Sequence, residues 1–429
     1  MTPSLPVPTS PDALPTGLLI GGEWVHDSSG GTHRHIYPAI GVPIRMSPGH
    51  VALAEEFIRY YAGYIDKAHG ASTPVSGKFD VNLIEREPYG VVGVIAPWNG
   101  PLVVIGLAVA AALAAGNAVV LKPSQFAPFT PLRFGQLFLA AGLPAGLVNV
   151  LPSGPAGGDA LVQHPGVGKI HFTGGGHTAR TVLATAARSL TPVATELGGK
   201  SANIVFADAD LGPAARLAAF QGPLGQAGQS CACGSRILVQ DSIFDAFMAE
   251  FLAVIASAVI GDPFDPQVLV GPVISQAAVD RILHTIDRAV ADGAGELVTG
   301  GHRIGGDLAD GYYLEPTVFA DVDNRSPLAQ IETFGPVVSV LRFIDEEHAI
   351  ALANDTDYGL NAYIQTRDLV RAHSIARRLT AGSIWINRNS DLSPQSPYGG
   401  YKHSGTGRAG GLEGLHEFQQ VKNIRIAMP

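Results

Sequence analysis

The feature that most constrains this chain is an alternation of short apolar runs with longer helical stretches between residues 91 and 197. The runs are rich in β-branched residues and start about 22–29 residues apart, the length of a strand with its crossover helix. Continuous apolar strands alternating with helices predict a parallel sheet covered on both faces, and thus a doubly wound, nucleotide-binding type of domain. The predicted strands are Val91–Ala96, Ala118–Leu121, Leu147–Leu151, Lys169–Phe172 and Val193–Thr195, with helices at Leu102–Ala115, Pro131–Ala141 and His177–Arg188.

A second alternating series follows Ser230 and predicts a second α/β domain. Its predicted strands are Ile237–Val239, Val337–Leu341, Ala362–Thr366 and Ser383–Asn387, and its predicted helices are Phe244–Ile260, Gln276–Asp292 and Val370–Leu379. Before the first series, Leu18–Val25 resembles a strand, and Val51–Gly70 has apolar residues near helical spacing.

Composition excludes several functional classes. At 429 residues the chain has room for two to four domains, and its charged fraction of 15% argues against disorder. A net charge of −9 disfavours nucleic-acid binding. The apolar stretch Leu102–Ala115 is too short to span a bilayer, and the N-terminus lacks the pattern of a signal peptide. We therefore expect a cytoplasmic protein without a membrane partner, beginning with a loose proline-rich tail over residues 1–16.

One glycine pattern matches the GxGxxG pattern of dinucleotide phosphate loops. It spans Gly405–Gly410, but no apolar strand directly precedes it and only 19 residues follow it. A phosphate loop requires a strand before it and a full βαβ unit around it. We therefore interpret this segment as a conformational loop.

The only two cysteines are Cys231 and Cys233, which excludes a disulfide framework and fits a reducing compartment. No second Cys or His cluster lies at ligand spacing, so no metal site is predicted. A buried, inert cysteine and an accessible thiolate both remain open. The polar, glycine-rich surroundings of the pair favour the thiolate.

Three segments with polar side chains follow predicted strands of the first sheet. Asn99 follows the first strand, Lys122 the second and Glu196 the fifth. Each alone is compatible with an ordinary turn or a solvated charge. Together they place an amide, an ammonium and a carboxylate on the rim of the sheet where ligands of open parallel sheets bind.

With these motifs the chain resembles the hydrolytic, NAD(P)-dependent aldehyde dehydrogenase superfamily. The matches occur in the family's order and near its spacing from about residue 54 to the C-terminus. They are PWNGP (97–101), LKPS (121–124), FTGG (172–175), TELGGKS (195–201), GQSCACGSR (228–236), ETFGPV (332–337), NDTDYGL (354–360) and PYGGYKHSG (397–405). The resemblance implies a fold of two doubly wound parallel-sheet domains plus an oligomerisation hairpin.

The resemblance implies a catalytic set. Cys231 would attack the aldehyde as a thiolate, and Asn99 would stabilise the resulting oxyanion together with the Cys231 backbone N–H. Glu196 would activate the water that hydrolyses the thioester. Family members that pass the acyl group to coenzyme A generally lack this glutamate, so a free carboxylic acid is the expected product.

The resemblance also implies a site for NAD, with NADP left open. Lys122 would bind the adenosine ribose, with Arg281 near it, and the backbone at Gly174 and Gly175 would bind the pyrophosphate. Glu332 and Phe334 would hold the nicotinamide ribose and ring. The full set of expected cofactor residues is Ala96, Pro97, Trp98, Lys122, Ser124, Gln125, Gly174, Gly175, Leu197, Gly198, Arg281, Glu332 and Phe334, and the expected substrate residues are Gly100 and Ser230.

Three single-residue departures from the family pattern bear on specificity. Gln125 stands where many NAD-preferring relatives have Glu, so the repulsion of a 2′-phosphate is absent. Gly175 stands where Ser is frequent, which leaves phosphate binding to the backbone. Gly100 replaces the Phe of PWNFP beside the substrate tunnel, and the wider entrance favours a bulky or aromatic aldehyde over acetaldehyde.

The largest departure lies near the N-terminus. Ile36–Gly41 resembles an early segment of the family, yet only 18 residues separate Gly41 from Tyr60, which resembles part of a much later helix. Several dozen residues that carry helices of the cofactor domain are therefore expected to be missing, which would expose apolar surface.

The resemblance implies a homodimer or homotetramer, formed through the hairpin and the C-terminal strand Val421–Ile426. The predicted parts are a tail (1–16), an NAD(P)-binding Rossmann-like domain (17–69 and 89–197), oligomerisation strands (70–88 and 420–429) and a catalytic domain (198–419).

Two alternatives to an active dehydrogenase remain. The shortened N-terminal region is compatible with a family-like protein that binds nucleotide or builds an assembly with little or no turnover. An acylating or esterase-type enzyme is disfavoured by Glu196 and by the complete set of cofactor motifs.

Overall fold

The computed structural model describes residues 17–26, 42–74 and 80–427. The predicted tail over residues 1–16 and the family-like segment Ile36–Gly41 lie outside the described residues. In chain order the strands are β1 Leu18–Ile20, β2 Glu23–Val25, β3 Ala71–Ser72, β4 Val81–Pro88, β5 Val91–Ile95, β6 Ala118–Lys122, β7 Val148–Val150, β8 Lys169–Thr173, β9 Val193–Glu196, β10 Ala202–Val205, β11 Arg236–Gln240, β12 Glu296–Thr299, β13 Thr317–Ala320, β14 Val337–Phe343, β15 Tyr358–Gly359, β16 Asn361–Gln365, β17 Ser383–Ile386, β18 Tyr401–Lys402, β19 Gly405–Thr406 and β20 Gln419–Ile426.

The helices cover the faces of two large sheets. In chain order they are α1 Ser47–Ala62, α2 Pro101–Val104, α3 Ala111–Ala114, α4 Phe129–Ala140, α5 Pro155–Gln163, α6 Gly176–Ala186, α7 Leu211–Ala219, α8 Phe244–Ala256, α9 Gln276–Ala291, α10 Pro327–Gln330, α11 Glu346–Asn354, α12 Leu369–Ala376 and α13 Gly411–His416. A π-helical segment, Ile105–Ala110, joins α2 to α3. The three segments together form one continuous and largely buried helical element, which corresponds to the predicted helix over Leu102–Ala115.

The first sheet has eight strands in the order β19-β9-β8-β5-β6-β7-β1-β2. Its five central strands are parallel and coincide with the five predicted apolar runs. The chain runs outwards from β5 through β6 to β7 and then returns to β8 on the other side of β5. This reversal is the switch point at which doubly wound sheets bind ligands. The predicted fold class is confirmed.

Two predictions near the N-terminus need correction. Leu18–Val25 is an antiparallel hairpin of β1 and β2 with a turn at Gly21 and Gly22, whose φ angles of +59° and +85° suit glycine. The helix predicted over Val51–Gly70 begins earlier and ends earlier, as α1. It ends at Ala62 with Gly63 at its C-cap, and the apolar pattern beyond that point belongs to turns.

Helix α1 packs against the π-helical segment of the first domain and contributes Phe57 and Tyr61 to its core. Around α1, Val51 is 53% exposed and Ile65 is 72% exposed. Apolar side chains are thus exposed at this corner, while the absence of covering helices stays a prediction.

The second sheet has seven strands in the order β12-β13-β14-β11-β10-β16-β17, parallel except for the edge strand β12. The four predicted strands of the second series are present as β11, β14, β16 and β17. Strands β10, β12 and β13 and helices α7 and α11 were not predicted. The buried side chains of this sheet and its helices form the larger hydrophobic core.

A third, smaller sheet consists of β20, β4 and β3, and β20 pairs antiparallel with β4 along eight residues. The hairpin and C-terminal strand are therefore present as elements. Residues 405–418, which fall in the range predicted as catalytic domain, pack with the first sheet, because β19 pairs with β9 and Phe418 lies in the first core. Within the described ranges no helix is both long and apolar enough to cross a membrane.

Candidate active site

Cys231 lies on a tightly wound loop between α7 and β11. In the turn that precedes it, Gln226 and Ala227 have φ angles of +51° and +52°, a left-handed conformation that is uncommon for residues with side chains. Such strain persists only where the surroundings enforce it, and it occurs most often at functional sites.

The two cysteines have different environments. Cys231 is half-buried, and its Sγ lies 3.9 Å from the hydroxyl of Tyr398. The pKa of the Cys231 thiol is raised to about 11, mainly by burial, with smaller contributions in the same direction from the carboxyl groups of Glu332 and Glu196. Cys233 is buried with its Sγ 3.5 Å from the Gly222 carbonyl, and burial raises its pKa to about 12. The interpretation as a buried, inert cysteine thus fits Cys233. Cys231 instead lies near polar groups that include Glu332 and Glu196.

Asn99 connects the first sheet to the cysteine loop. Its side-chain amide donates a hydrogen bond of 2.9 Å to the carbonyl of Gln229, two residues before Cys231. The Gln229 side chain is itself fixed, because its oxygen accepts from the Ile274 N–H at 2.8 Å and its amide donates to the Pro272 carbonyl at 3.3 Å. The structure therefore brings Asn99 to the backbone of the cysteine loop, through a bond to Gln229 that crosses 130 residues of sequence.

Glu196 ends β9 as a buried carboxyl group, 7% exposed. Its Oε2 has no hydrogen-bond partner among the described residues. Burial raises the pKa of Glu196 well above its ordinary value, while Arg408 opposes and Glu417 adds to that effect. A buried, unpaired and protonatable oxygen is unusual in a folded protein and is typical of a group that exchanges protons with a ligand or water.

The residues expected at the nicotinamide lie close together. The rings of Trp98 and Phe334 meet edge to face with centroids 5.6 Å apart, and Phe334 has a φ of +48°. Beside them, Glu332 accepts a hydrogen bond of 3.1 Å from the Gly199 N–H. A Cβ added to Gly198 would overlap the Glu332 carboxyl group, so this close approach requires glycine.

Arg281 supports the same loop from α9. Its guanidinium donates to the carbonyl oxygens of Thr333 and Phe334, the latter at 3.4 Å. The described contacts of Arg281 are thus with the loop of Glu332 and Phe334. Its contact with the adenosine ribose stays a prediction.

The residues expected at the adenosine and phosphate end surround the carboxyl ends of β6 and β8. Lys122 is buried, donates to the Pro123 carbonyl at 3.1 Å, and has its pKa lowered by that burial. Gly174 and Gly175 precede α6, and a Cβ added to Gly175 would meet nothing within 4 Å. An ammonium group and the open N-terminus of an 11-residue helix fit the phosphates of a dinucleotide.

Five further predicted residues lie near these strand ends. The Ser124 hydroxyl accepts from the Phe126 N–H at 3.3 Å, and the Ala96 N–H donates to the Lys122 carbonyl at 3.0 Å. Gln125 lies at the same strand end, and its Oε1 would be 3.6 Å from a Cβ added to Gly154, just before α5. Pro97 is half-buried, and Leu197 is buried with its N–H bonded to the Ser404 carbonyl at 3.0 Å.

The two predicted substrate residues differ in how open their surroundings are. A Cβ added to Gly100 would meet only Val103, at 3.6 Å, so space is available there. Ser230 is half-buried, and its hydroxyl accepts from the Ala232 N–H at 3.2 Å, which ties it to the cysteine loop.

The glycine pattern at Gly405–Gly410 has a structural role beside Glu196. Gly405 belongs to β19 and pairs directly with Glu196 in an antiparallel register. Its φ is +135°, and an added Cβ would overlap the Thr195 carbonyl. The prediction that it is no phosphate loop is consistent with this placement, but part of the segment is an edge strand rather than a loop.

Sequence reasoning missed two polar residues of the site, Tyr398 and Asn361. Asn361 is 3% exposed and donates to the Tyr398 hydroxyl at 3.4 Å. The available signal was a polar residue at the start of β16, directly before the apolar residues 362–364. Among residues 17–26, 42–74 and 80–427 no cluster of three or more His, Cys, Asp or Glu could hold a metal ion.

The chain is similar in sequence and in structure to proteins of one known family. Residues 33–424 match the model of the aldehyde dehydrogenase family. The chain is 42% identical over 373 residues to retinal dehydrogenase 2 of Homo sapiens, covering 86% of this chain and 71% of that protein. Among solved structures it is similar to an NAD-dependent aldehyde dehydrogenase from Sinorhizobium meliloti (39% identity, TM-score 0.88, 91% and 77% of the two chains). It is also similar to an NAD+ complex of aldehyde dehydrogenase from Bacillus cereus (36% identity, TM-score 0.87, 91% and 78% of the two chains).

Proposed function

Because this chain belongs to the aldehyde dehydrogenase family, we propose that Cys231, Asn99 and Glu196 carry out its reaction. The chain is an NAD(P)-dependent aldehyde dehydrogenase, which oxidises an aldehyde to the carboxylic acid. The assignment of these residues is supported by the proximity of Asn99 and Glu196 to the loop that carries Cys231. The Asn99 amide holds the backbone of the cysteine loop, and the Glu196 carboxyl is close enough to Cys231 to raise the pKa of its thiol.

In the first step the Cys231 thiolate attacks the aldehyde carbon and forms a C–S bond, while the carbonyl oxygen becomes an alkoxide. The Asn99 amide donates one of its two hydrogens to the Gln229 carbonyl. Its second hydrogen is the proposed donor to the alkoxide. With the Cys231 backbone N–H this makes a two-donor oxyanion hole, in which each donor contributes about 3–4 kcal/mol.

A bound NAD(P)+ would supply the acceptor for the hydride, and loss of that hydride from the tetrahedral carbon would leave a thioester on Cys231. The residues that would hold the nicotinamide are Trp98, Phe334 and Glu332, which lie together beside Gly198. Lys122 and the N-terminus of α6 would hold the adenosine and phosphate end.

In the last step Glu196 takes a proton from water as the water oxygen attacks the thioester carbon. The C–S bond breaks, Cys231 leaves as a thiolate, and the carboxylic acid is released. Burial raises the pKa of Glu196, so the ionised carboxylate is a stronger base than an exposed one. Below that raised pKa the group is protonated, and hydrolysis should slow as the pH falls.

NAD is the proposed cofactor, with NADP left open. The amide of Gln125 carries no charge to repel a 2′-phosphate, whereas a glutamate there would. The variant Gln125→Glu should therefore raise KM for NADP and leave KM for NAD within a small factor. An equal effect on both cofactors would contradict a role for Gln125 in cofactor choice.

The proposed substrate is a bulky or aromatic aldehyde. The space beside Gly100 supports this, since an added side chain would meet little besides Val103. One relative is named for retinal, a large apolar aldehyde. We expect a higher kcat/KM for benzaldehyde than for acetaldehyde, with the preference reduced by Gly100→Phe. A preference of the unmodified enzyme for acetaldehyde would refute this substrate class.

We further propose a homodimer or homotetramer in the cytoplasm, assembled through β20 and the hairpin of β3 and β4. Strand β20 is an edge strand whose outer side is paired with no other described strand, which suits pairing with a second subunit. Light scattering on the purified protein tests this, and a monomer at micromolar concentration would contradict it. The division into a cofactor domain and a catalytic domain at residue 197 is part of the same proposal.

The direct test is formation of reduced cofactor from a panel of aldehydes, with Cys231→Ser as the control. The proposal expects turnover by the unmodified chain and none by the variant. A folded protein that binds NAD but reduces none of it would instead support the nucleotide-binding or assembly alternative.

A further inference from the structure

The hydroxyl group of Tyr398 faces the proposed nucleophile. Tyr398 is 8% exposed, and its oxygen lies 3.9 Å from Cys231 Sγ, within reach of a hydrogen bond to sulfur. Its backbone is fixed on both sides, because its N–H and carbonyl pair with Ala409 at 2.6 and 2.8 Å. The hydroxyl is therefore part of a rigid wall rather than a mobile surface group.

The direction of the bond to sulfur follows from Asn361. The Asn361 side-chain amide is a donor and lies 3.4 Å from the Tyr398 oxygen, so that oxygen accepts from it. The Tyr398 proton is then left for its other close neighbour, Cys231 Sγ. A thiolate has only acceptor capacity, so the arrangement matches the ionised form of the cysteine.

Neighbouring aromatic residues hold this arrangement. Trp385 lies between Tyr398 and Tyr363, with ring centroids 6.5 Å and 5.4 Å away, and it stacks on the latter. Tyr363 donates a hydrogen bond of 2.6 Å to the carbonyl of Ala232, next to Cys231. One aromatic layer therefore positions both the hydroxyl donor and the cysteine loop.

We propose that Tyr398 is a catalytic residue that donates a hydrogen bond to the Cys231 thiolate, and that Asn361 is a positioning residue that sets the direction of this bond. The inference rests on Cys231 being the nucleophile of the proposed function. It explains how a thiolate forms in a place where the two charged groups that act on it, Glu332 and Glu196, are both acidic. Two contacts oppose the effect of burial on the thiol pKa, the Tyr398 hydroxyl and the Ala232 backbone N–H.

The test measures the thiolate without any aldehyde. The chain has two cysteines, so a Cys233→Ser background leaves Cys231 as the only thiol. In that background the rate of alkylation by iodoacetamide below the thiol pKa is proportional to the thiolate fraction. A hydrogen bond to a charged group corresponds to a shift of about one pKa unit, so Tyr398→Phe should slow alkylation about tenfold between pH 7 and 9.

Two further variants make the result specific. Asn361→Leu should slow alkylation in the same direction but less, because the hydroxyl keeps its place and loses its orientation. Tyr401→Phe is the matched control, since this tyrosine is 44% exposed on β18, and its alkylation rate should equal that of the background. Thermal melts of all variants verify folding.

The outcomes separate this inference from the proposed function. Unchanged alkylation in Tyr398→Phe, with folding intact, would overturn the inference, even if Cys231→Ser abolishes aldehyde oxidation. Slower alkylation in Tyr398→Phe with an unchanged rate in Asn361→Leu would overturn the positioning role of Asn361. Aldehyde oxidation that survives Cys231→Ser would overturn the proposed function instead. Slower alkylation in Tyr398→Phe, together with a pH profile of kcat/KM displaced to higher pH, supports the inference.

Discussion

The contact between Gly198 and Glu332 offers a sharp perturbation of the cofactor site. A Cβ built on Gly198 would overlap the carboxyl carbon and both carboxyl oxygens of Glu332. In Gly198→Ala the carboxyl group must move by at least about 1 Å to regain ordinary contact distance. That displacement breaks the hydrogen bond of 3.1 Å from the Gly199 N–H and removes the carboxylate from its place at the expected nicotinamide ribose.

The size of the loss in NAD affinity follows from the hydrogen bond that the displaced Glu332 carboxylate would no longer make to the nicotinamide ribose. A hydrogen bond to a charged group contributes about 1.5–3 kcal/mol, and about 1.4 kcal/mol corresponds to a factor of ten in affinity. We therefore expect NAD to bind Gly198→Ala about tenfold to a hundredfold more weakly. The alkylation rate of Cys231 at pH 8 should change much less, because no hydrogen bond to the cysteine loop is lost and burial, not Glu332, has the largest effect on the thiol pKa.

Isothermal titration calorimetry with NAD is the assay, with Gly49→Ala as the matched control. A Cβ on Gly49 in α1 would meet nothing within 4 Å, so this variant should bind NAD with unchanged affinity. A folded Gly198→Ala protein with the affinity of the unmodified chain would refute the role given to Glu332.

Three other substitutions have outcomes that follow from burial or close contact. Glu196→Gln removes a carboxyl group whose pKa is raised in the folded state. The unmodified chain should therefore lose stability relative to the variant as the pH rises above about 4.5. In calorimetry the two melting temperatures should be equal below that pH and diverge above it. His171 is buried with a pKa lowered to about 4 from 6.5, so it should cost the fold up to about 3 kcal/mol as pH falls from 6.5 to 4. Urea unfolding at pH 7 and pH 4.5 should show a smaller acid loss in His171→Gln, and an unchanged loss would contradict the assignment. Gly405→Ala should push β19 away from β9 and lower kcat with little change in NAD affinity, because Gly405 pairs with Glu196 rather than with the cofactor residues.

The five central strands of the first sheet could be predicted because their sequence signal is local. Each is a run of branched apolar residues, buried on both faces by helices, and no partner residue needs to be known to recognise it. Strand β12 lacked that signal, because as an antiparallel edge strand it has the mixed sequence ELVT. Helix α5 was missed because its sequence, PAGGDALVQ, contains two glycines, which are poor helix formers.

Helix α1 shows where local periodicity is misleading. The apolar spacing continues past Ala62, but Gly63 at the C-cap and the turns that follow end the helix. Its first turn was missed because Ser47 and Pro48 precede the apolar residues, although proline is well tolerated in the first turn of a helix.

The candidate site was predictable as a set of strand ends and not as a set of contacts. Asn99, Lys122 and Glu196 each follow an apolar run, so their common rim could be predicted. The bond from Asn99 to Gln229 crosses 130 residues, and the placement of Tyr398 near Cys231 crosses 167, and neither follows from sequence spacing. The same limit hid the role of Gly405, whose motif has a meaning only once β19 is seen to pair with β9.

The central claim is that the acyl group passes through Cys231 and is released by water activated at Glu196. Its most direct test is a rapid-quench experiment on Glu196→Gln with an aldehyde and NAD, followed by mass spectrometry of the peptide that contains Cys231. The account predicts a burst of about one reduced cofactor per subunit, little turnover afterwards, and an acyl group attached at Cys231. Steady turnover at the rate of the unmodified enzyme, or a burst with no acyl group on Cys231, would contradict it.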